Sequence, residues 1–234
     1  MKTVSLHTLG YSLFISLALL TNAQAAGMIP ETSVVIVNEA DGEASVSVTN
    51  TDSKLALLHV TLEDIPEDSA PLLFVTPPLT RVEQGKSQLI RFILQSPTPL
   101  TTQRLKRVIF EGMPQGRANG QAGHARVGVT VRQNLPVIVH PKGLGRNRTP
   151  WTGLVVSLNN QQLSVDNPTP YVVRLAQELT PLPGKGPAPL PRTYVLPGET
   201  LSVAASQAHA RTVQMQPATV YGFAVGPCEA PIPL

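Results

Sequence analysis

The sequence predicts an all-β protein built from two β-sandwiches, and three observations carry that expectation. Short segments of period-2 alternation recur along the chain. In "RVGVTVRQNLPVIVHP" (126–141), for example, Val127, Val129 and Val131 share one face, and Arg126, Gly128, Thr130 and Arg132 share the other. Proline (23 residues) and glycine (17 residues) punctuate these segments, since both end strands and break helices. After the first 25 residues no segment holds a sustained 3.6-residue apolar period with a capped start.

Taken in order, the chain opens with Lys2, an apolar run "LGYSLFISLALL" and the small-x-small triplet Ala23, Gln24, Ala25. This is the pattern of a cleaved signal peptide over residues 1–25, with the mature chain starting at Ala26. The twelve-residue run is too short to cross a bilayer core of ~30 Å, and no direct membrane insertion is expected. "SVVIV" and "EASVSVTN" read as two strands about the turn "NEADGE", with Ala44, Val46 and Val48 on one face. "KLALLHVTLEDIP" is a third strand. "PLLFVTPPLTRVEQGKSQLIRFIL" supplies two more divided at "EQGK", and "RLKRVIFEGMP" precedes the 126–141 stretch. Pro136 places that stretch at an edge or an irregular position, because proline has no N–H for a ladder.

The composition changes at "HPKGLGRNRTP", which offers almost nothing to bury, so residues 142–150 read as a linker between a domain over 26–141 and a smaller one over 151–234. Strand rhythm resumes in "GLVVSLNN", "QQLSVDNPTP", "YVVRLAQEL", "VLPGETLSV", "ARTVQMQ" and "ATVYGFAV", interrupted by the proline-rich "TPLPGKGPAPLPRTY". About 209 residues after the leader are enough for two ordinary cores.

The residues argue against catalysis. Removing Lys2 with the leader lowers the formal net charge from +3 to +2, and aromatics make up only 4%, so nucleic acid is not an expected partner. The single cysteine, Cys228, excludes an internal disulfide and reads as part of a frayed tail. His59, His124, His140 and His209 share no ligand spacing, and no nucleophile elbow, phosphate loop or dinucleotide fingerprint occurs, so neither metal nor cofactor is expected. Glu63 and Asp64 read as a solvated loop.

Three segments, in this order, resemble the periplasmic pilus assembly chaperones of the chaperone-usher pathway: "VTPPLTRVEQGKSQLIRF", "VDNPTPYVVRL" and "YVLPGE". A strand ending in His140-Pro141 before the hinge adds to them. The resemblance spans about residues 34 to 225 and implies two immunoglobulin-like sandwiches in an L or boomerang arrangement. It also implies a non-enzymatic role in the periplasm: capping pilus or fimbrial subunits by lending them a strand, then delivering them to an outer-membrane usher. Under that reading Val127, Val129 and Val131 are the donor residues. Each fully buried valine is worth roughly 1.5–3 kcal/mol before ordering costs. Alternation alone fits equally well a strand serving the protein's own core.

The sequence departs from the family at one place. Most members anchor the subunit's terminal carboxylate with an Arg in the first strand and a Lys late in the donor strand, and these positions fall near Ser33 and Pro136 here. Arg132 and Arg91 are the replacements that sequence order suggests. The alternative of a different class is a secreted sandwich adhesin or carbohydrate-binding module, for which Trp151 is the one available indole.

Overall fold

The computed structural model describes residues 27–114, 130–184, 186–205 and 209–233. Apart from one short 3-10 turn, Pro150–Gly153, the regular elements among these residues are strands.

The first sandwich comprises β1 (Met28–Pro30), β2 (Val35–Asn38), β3 (Glu43–Asn50), β4 (Ala56–Glu63), β5 (Leu73–Thr76), β6 (Leu79–Val82), β7 (Ser87–Leu94), β8 (Arg104–Pro114) and β9 (Val131–His140). One sheet runs β1-β3-β7-β5 and the other β2-β9-β8-β4-β6. Alternation decides what is buried: Val46 and Val48 of β3, Ile90 and Phe92 of β7, Leu58 and Val60 of β4, and Val137 and Val139 of β9 all point into one core. At its centre Phe92 and Phe110, contributed by opposite sheets, meet edge to face with ring centroids 6.5 Å apart, the arrangement aromatic quadrupoles favour.

Two features depart from the sequence reading. A short strand, β1, precedes the expected first one and lies in the opposite sheet. The stretch expected to hold two strands holds three, because Pro77-Pro78 separates β5 from β6. Proline has no N–H for a ladder, so pairing stops there and the chain changes sheets, β5 pairing with β7 and β6 with β4.

The second sandwich has its own core around Trp151, Leu163, Val165, Leu179 and Val213. Its strands are β10 (Val155–Asn159), β11 (Gln162–Asn167), β12 (Val173–Leu175), β13 (Glu178–Leu182), β14 (Ala188–Pro189), β15 (Tyr194–Val195), β16 (Glu199–Ala204), β17 (Thr212–Met215), β18 (Pro217–Ala218) and β19 (Cys228–Pro231). They form the orders β10-β11-β16, β15-β12-β18 and β14-β13-β17-β19. The tail around Cys228 is not frayed: β19 pairs with β17 through Met215 opposite Cys228, and burial pushes the Cys228 thiol up. "ATVYGFAV" is not one strand. After β18 it makes a turn over residues 219–222 with Gly222 at φ 84.

Each sandwich closes a loop with a buried asparagine that ends a strand. Asn50 donates to the carbonyls of Lys54 and Val82, both at 2.9 Å. Asn167 donates to Tyr171 (2.8 Å) and Val195 (3.1 Å) and accepts from the Thr169 hydroxyl (2.6 Å), which gives "NPTPY" its shape. "LEDIPED" is likewise more than a solvated loop. Lys106 is only 2% exposed. It donates to Asp64 Oδ1 at 2.7 Å and to the Asp68 carbonyl at 2.6 Å, and Asp68 also takes a bond from Arg104 Nε at 2.6 Å. Burial opposes ionisation of Asp68, but the bonds and charges of Arg104 and Lys106 outweigh it and hold the carboxyl below its usual range.

A depressed folded-state pKa contributes stability that is present above the unfolded carboxyl value of about 3.9 and lost as pH falls through the folded value. Asp68→Asn is therefore expected to destabilise by on the order of 3 kcal/mol near neutral pH, because it strips a buried charge of a partner. The deficit relative to the parent should shrink below about pH 4. Urea unfolding of both chains at the two pH values measures this.

Candidate functional site

The β8–β9 hairpin carries the stretch that the sequence singles out. The ladder runs from Arg104 opposite Val139 to Gly112 opposite Val131. On its other side β9 is covered by β2 only from Val137 to His140, in parallel register with Val35 to Asn38. Among the described residues, 131–136 therefore have one paired edge and one free edge, and Pro136 stands at the junction.

Val131 shares its face with Leu135, Val137 and Val139. The latter three pack on the first core, whereas Val131 is 38% exposed. The reason lies across the ladder. The Met28 side chain lies over Gly112, where an added Cβ would come within 2.9 Å of Met28 Cγ, and the core ends there. Gln133 Nε2 donates to the Met28 carbonyl at 3.0 Å, so Val131 is the first apolar residue past the lid. Val127 and Val129 lie outside the described residues.

The two arginines chosen from sequence are not brought together. Arg91 sits on the outer face of the opposite sheet, ion-paired with Glu43, away from the hairpin. Arg132 lies on the outer face of β9, its Nε 3.7 Å from Glu111, its cross-strand neighbour. Trp151 is 8% exposed within the second core and offers no stacking platform.

Two other arginines occupy the cleft between the domains. Arg107 is the cross-strand neighbour of Pro136, and it donates to Asn134 Oδ1 at 2.7 Å and to the Asn134 carbonyl at 2.8 Å. Arg174, on β12, lies beside Ser33: a Cβ placed on Gly222 would sit 3.2 Å from Arg174 Nη1 and 3.3 Å from Ser33 Oγ. That crowding and the positive φ both require glycine at position 222. Arg174 Nη1 is buried without a hydrogen-bond partner among the described residues. Burial pushes both guanidiniums down, and the charge of Arg107 adds to the effect on Arg174. Since a guanidinium keeps its proton, this push is a cost carried by the charged cleft, and an entering anion would relieve it. Finding these arginines from sequence requires the β8–β9 register and the docking of the second domain. The one local signal is a lone arginine among apolar residues in "YVVRLA".

The cleft is held by a hydrogen-bonded hinge and an ion cluster. Gln103 donates its N–H to the Pro170 carbonyl at 2.8 Å, accepts from Val172 N–H at 2.9 Å, and meets His140 Nδ1 at 3.0 Å. Because Gln103 Oε1 is taken by Val172, its amide N–H donates to Nδ1. The His140 proton then sits on Nε2, 2.9 Å from the Leu144 carbonyl. Glu67 of the first domain pairs with Arg192 and accepts from Tyr194 Oη at 2.8 Å. Burial and that bond push Tyr194 up to about 12. Val34, Ile65, Leu105, Ile138 and Val172 form an apolar cluster between the two cores.

Comparison with known proteins places this architecture. Residues 27–145 match the family described as "Pili and flagellar-assembly chaperone, PapD N-terminal domain", and residues 149–225 match "Pili assembly chaperone PapD, C-terminal domain". The chain belongs to the pili assembly chaperones. It is 38% identical over 219 residues, 93% of this chain and 95% of the other, to the uncharacterized fimbrial chaperone YhcA of Escherichia coli (strain K12). In fold it is similar to the E. coli chaperone DraB (TM-score 0.70, 22% identity, covering 88% of this chain and 99% of that one). It is also similar to a chain in the structure of the Salmonella enterica SafA pilin in complex with the SafB chaperone (TM-score 0.72, 20% identity, 90% and 98%).

Gln103→Ala is expected to loosen the hinge of this chaperone without unfolding either sandwich, at a cost of about 1–3 kcal/mol for the interdomain groups left unpaired. Small-angle scattering should report a broader distribution of interdomain distances, while near-UV dichroism, which reports on packed aromatics, stays unchanged.

Proposed function

We propose that this chain is a periplasmic chaperone that stabilises pilus or fimbrial subunits by lending them the first half of β9 and hands them to an outer-membrane usher. The observation that carries this reading is the free edge of residues 131–136, which continues a buried valine face into solvent at Val131. A free edge with an apolar face is a template for another chain, and a subunit lacking one strand of its own sandwich is its complement. Main-chain pairing supplies affinity, while Val127, Val129 and Val131 supply apolar burial at every second position. The chemistry is non-covalent: burial and strand pairing drive capture, with no bond made or broken. Family membership further supports cleavage after residue 25, export to the periplasm, and domains over 26–141 and 151–234 joined by the 142–150 linker.

The same cleft supports an anchor for the subunit's terminal carboxylate. Arg107 and Arg174 replace in space the basic residues that the family places near Ser33 and Pro136. A guanidinium pair in a half-buried cleft suits a carboxylate through charge-assisted bonds.

Co-expression of a strand-lacking subunit with the chaperone should give a stoichiometric complex from a subunit that is otherwise degraded. Val129→Asp and Val131→Asp should melt like the parent yet capture nothing, since a carboxylate would have to enter an apolar groove. Unfolding of either variant would instead assign that valine to the chaperone's own core. Arg107→Gln and Arg174→Gln should each weaken capture of a subunit with a free C-terminus by on the order of tenfold to a hundredfold. Neither should affect an amidated one, and equal losses on both would remove the anchor role.

A further inference from the structure

A groove of ≈ 420 Å³ lies at the hinge, lined by Ile36 and Asn38 of β2, by Arg146, Asn147 and Arg148 of the linker, and by Tyr221 of the turn after β18. We propose that this groove docks an extended acidic peptide of a partner protein, paired with the free edge of β2 and holding its carboxylates at Arg146 and Arg148. The site is separate from the donor edge of β9.

The backbone offers the first element of recognition. Among the described residues β2 is the edge strand of its sheet, paired with β9 alone. Glu39 N–H donates to the His140 carbonyl at 2.8 Å, so by the alternation of parallel pairing the N–H and C=O of Ile36, a residue that lines the groove, face away from β9. An extended segment can take both.

Charge offers the second. Arg81, Arg91, Arg104, Arg132 and Arg192 each have an acidic partner, whereas Arg146 and Arg148 are exposed and form no salt bridge among the described residues. The nearby acids are committed elsewhere. Glu39 accepts the backbone N–H groups of Leu100 (2.9 Å) and Lys142 (2.7 Å), and Asp41 accepts the amide of Asn38 (2.9 Å). Alternate residues of a strand point the same way, about 6.5–7 Å apart. Carboxylates at every second position of an extended segment thus match a pair of arginines two residues apart on one groove wall, and Tyr221, 55% exposed, lines the same groove.

The walls are fixed before anything binds. The linker is tied to the first domain by His140 Nε2 to the Leu144 carbonyl (2.9 Å) and to the second by Tyr171 Oη to the Gly145 carbonyl (2.6 Å). Thr149 N–H to Asn147 Oδ1 (2.9 Å) shapes its end, and Ser33 Oγ donates to the Tyr221 carbonyl at 2.7 Å, pinning the turn. A preformed groove spares a ligand the cost of ordering its walls. The volume lies within the roughly 300–1,000 Å³ of ligand clefts.

The test uses the full mature chain and a fluorescent peptide, acetyl-Val-Glu-Val-Glu-Val-amide, read by anisotropy beside its Gln-for-Glu counterpart, a backbone N-methylated version and free citrate. The Glu peptide is expected to bind at least about tenfold more tightly than the Gln peptide at ~0.1 M salt. It should lose that advantage on the R146Q/R148Q chain, whose melting point should match the parent, and weaken on N-methylation. Equal binding of Glu and Gln peptides, no binding, or indifference to R146Q/R148Q would overturn the proposal. So would citrate competing as well as the peptide, since that would make the groove a small-anion site. No subunit takes part, so failure here leaves the donor-strand reading untouched, and the converse holds.

Discussion

The structure turns on where one parallel pairing stops. β2 covers β9 over four residue pairs, Val35 with Val137 to Asn38 with His140, and no further. A ladder continuing to Val131 would make β9 an interior strand with no free edge. A ladder absent altogether would leave Val137 and Val139 on an unsupported edge, weakening the core they fill. Stopping at Pro136 divides the strand into a half that holds the fold and a half that is available. Proline at the division suits both roles: its missing N–H cannot propagate a ladder, and the residue is buried opposite Arg107.

The availability of that half-strand depends on packing far from it. The hinge places the second domain against the outer face of the sheet containing β9, through Gln103, the Glu67–Arg192–Tyr194 cluster and the apolar patch around Ile138. Much of this contact is polar, as expected between domains that need a defined orientation rather than a shared core. Arg174 reaches the cleft only because that docking brings β12 beside Ser33. The composition of the cleft is thus a property of the domain orientation, and a residue in one sandwich sets the electrostatics beside a strand of the other.

Local pattern revealed most of the strands and little of the cleft. Period-2 alternation in β3, β4, β7 and β11 marks real core faces because each has one buried side. It fails where tertiary pairing decides. Pro77-Pro78 reads as a pause in a strand but is a change of sheet, "ATVYGFAV" is rich in strand formers but turns at Gly222, and the proline-flanked Cys228 segment is held by β17. The 126–141 stretch was legible as a strand, but its reading as a donor came from the family resemblance, since alternation alone fits equally well a strand serving the protein's own core. The cleft arginines were not legible. Arg107 resembles any charged residue on a strand, and only its position opposite Pro136 gives it meaning. Arg91 illustrates the converse, a basic residue in a recognisable segment that the sheet order directs to the wrong face.

Buried charge in this molecule divides into two kinds. Lys106 is among its most enclosed charged side chains, and it is fully met: Asp64 and Asp68 neutralise it and the Asp68 carbonyl accepts a further hydrogen bond. Such a group holds a loop and has no capacity left. Arg174 is less enclosed yet worse satisfied, with one nitrogen sealed from solvent without a partner among the described residues and a second guanidinium close enough to raise its cost. A fold that supplies two acids for Lys106 had the means to supply one for Arg174. Native structures leave few buried donors unpaired, and those they leave tend to mark function. In a cleft beside a half-paired strand, that unmet charge is the observation on which the proposed carboxylate anchor rests.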